Sequence, residues 1–204
     1  MHEKLDSTTK WWVGGILLAT VLVYLRTLGY GYLPGYDDEL YLLNRPEVRD
    51  WWGATWRQRL LTPSVGYSVA VPTVIYAAAK SLFPDAYPQV LHGVHLTIHL
   101  VNIGLVLVLA RRWIGERTAV VVAALWALHP IHVETVAWLT NLKTLLYGFA
   151  LLSSLWLWGR ELDRGERPRA PVVGALLFLF VVGLGSRPDA IVIPVLLVGA
   201  TLLW

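Results

Sequence analysis

Residues 90–109 read VLHGVHLTIHLVNIGLVLVL, a run without an Asp, Glu, Lys or Arg side chain. A helix that crosses the hydrocarbon core of a bilayer needs about 20 predominantly apolar residues. The run therefore predicts a membrane-spanning helix. It also carries polar residues that recur every three or four positions and so share one helix face, namely His92, His95, His99 and Asn102.

The composition of the whole chain argues against a water-soluble globule. Of 204 residues, 56% are hydrophobic and only 15% are charged, whereas an average soluble domain is about 25% charged. Intrinsic disorder requires low hydrophobicity and high charge, so it is excluded as well. The chain has no cysteine, which removes disulfide frameworks, thiolate metal sites and cysteine nucleophiles.

Five further apolar runs have adequate or nearly adequate length for a membrane span. They are residues 11–28, 119–136, 142–158, 172–185 and 191–204. Residues 65–83 form another apolar stretch, but Pro72 and Lys80 interrupt it, and we expect a helix at the membrane interface there. The fold class predicted is all-α, a polytopic transmembrane helix bundle of about six spans, with residues 1–204 as a single transmembrane domain.

The basic residues predict the orientation of this bundle, because Lys and Arg accumulate in cytoplasmic loops. One side of the predicted spans carries Lys4, Lys10, Arg111, Arg112, Arg117, Arg160, Arg164, Arg167 and Arg169. We expect a multi-pass protein of a bacterial cytoplasmic or endoplasmic-reticulum-type membrane, with a cytoplasmic N-terminus. Residues 29–88 then form an exterior loop with interfacial helices. The net charge of +3 is read as a topology signal, not as a nucleic-acid patch.

Three consecutive carboxylates, Asp37, Asp38 and Glu39, lie near the start of this loop. Their mutual repulsion raises the proton affinity of at least one of them. Such a group suits a general base or a ligand of a divalent cation. A solvated acidic loop is the simpler alternative.

Residues 129–134, HPIHVE, follow the third run. Pro130 disfavours helical geometry at His129, so the helix is predicted to end or kink there. His129, His132 and Glu134 are then expected at the exterior mouth of the bundle, where they either face a cavity or cap the interface.

The sequence allows two interpretations for each of Arg187, Lys143 and the histidine stripe. The stripe is the helix face formed by His92, His95, His99 and Asn102. Arg187 suits a phosphate, because its planar fork binds two oxygens, or it pairs with Asp189. Lys143 either contacts an anion or extends to the interface. The three imidazoles of the stripe either ligate a metal or haem, or hydrogen-bond to neighbouring helices.

In their order along the chain, these segments resemble the N-terminal membrane region of GT-C fold glycosyltransferases, in particular O-mannosyltransferase-like proteins with tetratricopeptide repeats. The matching segments are Tyr36-Asp37-Asp38-Glu39-Leu40-Tyr41 with Asn44-Arg45-Pro46, His99-Leu-Val-Asn102, ALHPIHVETVAW at residues 127–138, and Ser186-Arg187-Pro188. The resemblance covers residues 36–204. It implies the N-terminal half of a GT-C-like fold, and we expect the chain to be truncated.

The resemblance implies transfer of a mannose-like sugar from a polyprenyl-phosphate donor to an acceptor protein or glycan at the exterior membrane face, among membrane lipids. Asp37 and Asp38 are the implied catalytic residues, as a general base or as ligands of a divalent cation. Glu134 and Glu39 are implied to have orienting roles. The donor phosphate is implied to be held by Arg187, Lys143, His129 and His132.

Two departures from the family pattern support a second hypothesis, a non-catalytic membrane subunit or assembly partner. Residues 65–68 are Val-Gly-Tyr-Ser where the family has a Tyr-Arg-Pro-Leu-like stretch. Residues 140–144 are Thr-Asn-Leu-Lys-Thr where it has Ser-Glu-Arg-Lys-Asp. A third hypothesis is a metal or haem protein built on the histidine stripe.

Overall fold

The computed structural model describes residues 6–62 and 67–203, and only the backbone of Leu61. Lys4, Val65, Gly66 and Trp204, on which some of the predictions draw, lie outside the described residues. Of the described residues 81% are helical and none is in a strand, which confirms the all-α class. The count of six spans stays a prediction.

The α-helices of the described ranges follow the predicted apolar runs and add short helices between them. They are α1 (Ser7–Tyr24), α2 (Pro46–Arg49), α3 (Trp56–Leu61), α4 (Ala70–Leu82), α5 (Tyr87–Ile114), α6 (Glu116–Ala127), α7 (His132–Ala137), α8 (Leu142–Leu162), α9 (Ala170–Leu184) and α10 (Ile193–Leu203). Short 3₁₀ turns cover Leu25–Gly29, Pro84–Ala86, Leu139–Asn141 and Pro188–Val192, and one π-helical turn covers Glu39–Leu43.

Two helical stretches in the described residues are long and apolar enough to cross a membrane, Ser7–Gly29 and Pro84–Ile114. This property rests on length and composition alone. The apolar helices α9 and α10 are shorter, at 15 and 11 residues. The structure thus indicates membrane association through two helices. The multi-pass topology stays a prediction.

The long helix α5 lies at the centre of the bundle and packs against α1, α6 and α8. Only Gly115 separates α5 from α6, and its φ of 76° lies in the left-handed region that favours glycine. Small residues let α6 approach closely, since Ala119, Ala123 and Ala127 are buried against Ile103 of α5. Tight packing of α5 and α6 therefore follows from a glycine turn and an alanine face.

The predicted exterior loop, residues 29–88, contains α2, α3 and α4 and includes the first residues of α5. The 13 residues of α4 extend about 20 Å, less than the roughly 30 Å of a hydrocarbon core. Tyr76 of α4 is buried, and its hydroxyl donates a 3.0 Å hydrogen bond to the Leu139 carbonyl. The helix expected within residues 65–83 is present, and its depth in a membrane stays a prediction.

One end of the bundle, termed here the arginine end, is held by ion pairs between helix termini and loops. These are Arg111–Glu116, Arg112–Asp163, Arg164–Glu166 and Arg169–Glu161. The Asp6 amide at the start of α1 also donates to Glu116 at the start of α6, at 3.1 Å. Four of the basic residues predicted to share one side, Arg111, Arg112, Arg164 and Arg169, therefore form ion pairs at this end. That this side is cytoplasmic stays a prediction.

Candidate functional site

The opposite end of the bundle, termed here the site end, is organised around the α7–α8 connection, defined as residues 138–144. It comprises Trp138, the 3₁₀ turn Leu139–Asn141 and the start of α8. Apolar packing fixes it, because Leu139 and Leu142 are fully buried in one cluster with Tyr41 and Tyr76. The polar side chains of the connection therefore lie next to residues that are held in place by buried packing.

The acidic loop packs onto this connection through Tyr36 and Asp38. The Tyr36 ring stands edge-on to the Trp138 ring, with centroids 6.4 Å apart. Asp38 is 1% exposed, and its Oδ2 accepts a 2.9 Å hydrogen bond from the Leu33 amide. Its Oδ1 is buried without a hydrogen bond of good geometry to a described residue.

Burial raises the pKa of the Asp38 carboxyl, because removal from water disfavours the charged form. The Leu33 amide and the polar groups of Thr140 and Trp138 oppose this rise. Trp138 Nε1 and Thr140 Oγ1 are themselves buried without a partner of good geometry among the described residues. Asp38 therefore fixes the loop against the α7–α8 connection from a buried position.

Asp37, half-buried beside Asp38, lies near Tyr41. The Lys143 Nζ lies 4.8 Å from the centroid of the Tyr41 ring, a cation–π contact. Burial raises the pKa of Tyr41 to about 12, and electrostatic interactions with the neighbouring Tyr67 and Asp37 add to the rise. The phenol is thus neutral at physiological pH. Glu39 is exposed and accepts a 3.0 Å hydrogen bond from the Gly35 amide.

Arg187 reaches the same connection from the turn after α9. Its Nη1 donates a 3.1 Å hydrogen bond to Thr144 Oγ1. Its Nε and Nη2 donate to Asp189 Oδ2 at 3.0 and 2.5 Å, so the pairing with Asp189 that the sequence left open is present. The Gly185 carbonyl accepts from the Val71 amide at 3.0 Å, which ties this turn to α4.

The helix break predicted at His129–Pro130 is present, because α6 ends at Ala127 and α7 begins at His132. His129 is exposed, and its Nδ1 accepts from the Ile131 amide at 3.2 Å. Glu134 is also exposed, and its Oε1 accepts a 3.1 Å hydrogen bond from Asn141. Glu134 therefore meets the α7–α8 connection.

His132 packs on the other side of α7, towards α5 and α6. Its ring centroid lies 4.4 Å from that of Trp126 and 5.4 Å from that of His99. Among the predicted site residues, the structure therefore brings Asp38, Arg187 and Glu134 to the α7–α8 connection, which itself contains Lys143. It packs His132 against His99 of the histidine stripe.

The stripe itself is buried, and two of its members bond to neighbouring helices. His99 Nε2 makes a 3.1 Å hydrogen bond with the Ala127 carbonyl, and Asn102 Nδ2 donates to the Leu145 carbonyl at 3.2 Å. Of the two alternatives for the stripe, interhelical hydrogen bonding is thus present for His99. Within residues 6–62 and 67–203, no group of three or more His, Asp or Glu side chains is arranged to hold a metal ion, at the stripe or at Asp37.

A buried ion pair near the site was not singled out from the sequence. Arg45 and Glu47 are 6% and 1% exposed, and Arg45 Nη2 lies 2.8 Å from Glu47 Oε1. Arg45 also donates to Thr73 Oγ1 at 3.2 Å and to the Thr62 carbonyl at 2.9 Å. The sequence signal was the opposite charges on both sides of Pro46, directly after the acidic loop.

Searches of protein-family models, curated proteins and solved structures find no match to this chain.

Proposed function

We propose that this protein is a membrane glycosyltransferase. It moves a mannose-like sugar from a polyprenyl-phosphate donor to an acceptor protein or glycan at the exterior face of a multi-pass bundle with a cytoplasmic N-terminus. The observation that supports the proposal is the α7–α8 connection, which contacts the acidic loop, Glu134 and Arg187 at one end of the fold. The acidic loop, Glu134 and Arg187 belong to the segments that carry the sequence resemblance.

The proposed reaction needs one general base for the acceptor hydroxyl and positively charged side chains that bind the leaving phosphate. A carboxylate takes the proton of the acceptor hydroxyl, the acceptor oxygen bonds to the anomeric carbon, and the bond from that carbon to the donor phosphate breaks. Charge then develops on the departing phosphate. Arg187 and Lys143 supply positive charge at the site, and Arg187 exchanges Asp189 for phosphate oxygens.

The two aspartates differ in burial, and this difference suggests different roles for them. Asp38 is 1% exposed and bonded to the Leu33 amide, which suits a residue that positions the loop. Asp37 is only half-buried, and it lies near Tyr41, whose ring Lys143 contacts. We therefore assign the base to Asp37 and a positioning role to Asp38.

The test is a sugar-transfer assay on the full chain in vesicles with a polyprenyl-phosphate-linked mannose. Asp37→Asn keeps the size of the side chain and removes the base, so transfer should fall about 10²- to 10⁴-fold. Glu166→Gln is the matched control, because this exposed carboxylate lies at the arginine end. Full transfer by Asp37→Asn, and by the double variant with Asp38→Asn, would remove the catalytic assignment.

A second candidate is a non-catalytic membrane subunit or assembly partner of that fold. It is favoured by the Arg187–Asp189 pair, because a guanidinium already paired within the chain is less available for a phosphate. Stable co-purification with a larger membrane protein, together with no binding of the polyprenyl-phosphate donor by the chain alone, would support this candidate.

A further inference from the structure

A groove of about 750 Å³ lies between α1 and α6. Its volume lies within the range of about 300–1,000 Å³ typical of small-molecule sites. Most of its wall is apolar, from residues such as Ile16, Ala19, Val121, Leu125 and Leu128. An apolar ligand of modest size is therefore what this groove fits.

The mouth of the groove is polar and lies at the arginine end. Asp6, Thr8, Thr9 and Arg117 line it. The Asp6 carboxylate is already engaged as the helix cap of α1, where it accepts from the Thr9 amide at 2.5 Å. Arg117 is exposed in the first turn of α6, where the helix N-terminus also favours an anion. Asp6 and Arg117 lie close enough for their charges to interact, so the mouth offers a guanidinium beside a carboxylate, next to an apolar channel.

The length of the groove distinguishes a lipid chain from a partner helix. From Arg117 to Leu128 the chain advances 11 residues, about 16 Å at the helical rise. This matches half of the roughly 30 Å hydrocarbon core, which is one leaflet. A spanning helix of a second copy would need a groove along the whole core, whereas one acyl chain needs only its own leaflet.

We propose that the groove between α1 and α6 binds one acyl chain of an anionic phospholipid, with the lipid phosphate held by Arg117. The planar guanidinium binds two phosphate oxygens at once, while the chain lies along the apolar wall. This proposal rests on the membrane association of the bundle and is independent of the sugar-transfer chemistry.

Two neighbouring glycines of α1 provide a matched pair for testing the apolar wall. Gly15 lines the groove, and Gly14 does not. A Cβ atom added at either position has no heavy atom within 4 Å, so both accept a larger side chain. Gly15→Leu fills the groove, and Gly14→Leu adds the same side chain to the same helix outside it.

Two cations provide a matched pair for testing the mouth. Arg117 lines the groove, whereas Lys10 lies near the same end and does not. Arg117→Gln and Lys10→Gln therefore remove the same charge from the same end of the molecule, and only the first removes the proposed phosphate ligand.

The experiment incorporates the full chain into nanodiscs of equal parts phosphatidylglycerol and phosphatidylcholine, and counts retained lipids by native mass spectrometry. The wild-type chain should retain one phosphatidylglycerol in preference to phosphatidylcholine. Arg117→Gln should reduce this preference about tenfold, equivalent to about 1.4 kcal/mol. Gly15→Leu should abolish retention, with Gly14→Leu and Lys10→Gln unchanged, and circular dichroism should show equal helix content in all variants.

Three results would overturn the proposal. Retention by Gly15→Leu would place the lipid outside the groove. An equal loss of the preference for phosphatidylglycerol in Lys10→Gln would show that the effect of Arg117→Gln comes from general surface charge. A wild-type dimer that Gly15→Leu converts to a monomer would make a second copy the occupant. A failed sugar-transfer assay would affect the enzyme proposal and leave this one intact.

Discussion

At the site end, Arg45 and Glu47 form an ion pair whose side chains are 7% and 2% exposed, whereas at the arginine end those of Arg164 and Glu166 are 35% and 68% exposed. Both pairs join an arginine to a glutamate two residues away. The two pairs differ in their exposure to water. Where water is excluded, charges interact more strongly and an unpaired charge costs more free energy. The same chemistry is therefore expected to stabilise the fold strongly in the buried Arg45–Glu47 pair and to contribute little in the exposed Arg164–Glu166 pair.

The largest stability effect should come from Arg45→Met, which leaves the Glu47 carboxylate buried without its main partner. Breaking a buried pair from one side costs about 3–5 kcal/mol. Urea unfolding of the detergent-solubilised chain measures this loss. Replacing both partners, by Arg45→Met with Glu47→Leu, should recover most of it, because no unpaired charge then remains. A loss below about 1 kcal/mol in the single variant would show that this pair is solvated.

The next effect comes from helix packing, with two glycines of α9 as the comparison. A Cβ at Gly183 would lie 2.9 Å from the Ala190 Cβ, whereas at Gly174 nothing lies within 4 Å. Gly183→Ala should destabilise the fold by about 1–3 kcal/mol through overpacking. Gly174→Ala should stabilise it by up to about 1 kcal/mol, since alanine favours the helix. Equal effects on the urea midpoint would contradict the close approach at the site end.

The buried carboxyl of Asp38 should make stability depend on pH. Its pKa in the folded chain lies above the ordinary 3.8, so in the window between these two values the folded state binds more protons than the unfolded state. Stability contributed by Asp38 should therefore fall as pH rises through that window, by at most about 1.4 kcal/mol per pH unit.

The measurement for this prediction is a series of urea unfolding curves from pH 4 upward for the wild type and Asp38→Asn. The variant does not titrate, so the difference in unfolding free energy between the two should shift in its favour as pH rises. Parallel curves for the two chains would mean that Asp38 is solvated.

The smallest effect should come from Arg164→Gln at the arginine end. Exposed pairs contribute about 0–1 kcal/mol, and added salt screens them further. We expect an urea midpoint close to that of the wild type at 0.15 M salt and indistinguishable from it at 1 M. A loss comparable to that of Arg45→Met would remove the contrast between the two ends.

The parts of the fold that depend on local sequence could be predicted. Apolar runs fix where the long helices lie, because helix formation and burial both follow from periodicity within one segment. Pro130 marks the break between α6 and α7 for a local steric reason. The grouping of arginines at one end also follows, since alternate loops of an antiparallel bundle return to the same side.

The parts that depend on distant contacts could not be predicted. Arg45 meets Thr73, and Arg187 meets Thr144, across 28 and 43 positions of the chain. The local sequence pattern does not indicate which distant residue forms such a hydrogen bond. Residues 140–144 illustrate the point: their departure from the family pattern supported the subunit hypothesis, yet Thr140 lies beside Asp38, and Thr144 accepts from Arg187. The exposed Glu39 and the inward-packed His132 likewise depend on tertiary placement.

The single glycine between α5 and α6 has a consequence for how the chain folds. Closing so short a loop carries little conformational entropy, and the contacts between these two helices are close in sequence, which favours early formation. We expect this helical hairpin to form first and to serve as a template on which α1 and α8 then assemble. Gly115→Val, which disfavours the left-handed backbone, should slow refolding more than it lowers the final yield of native protein.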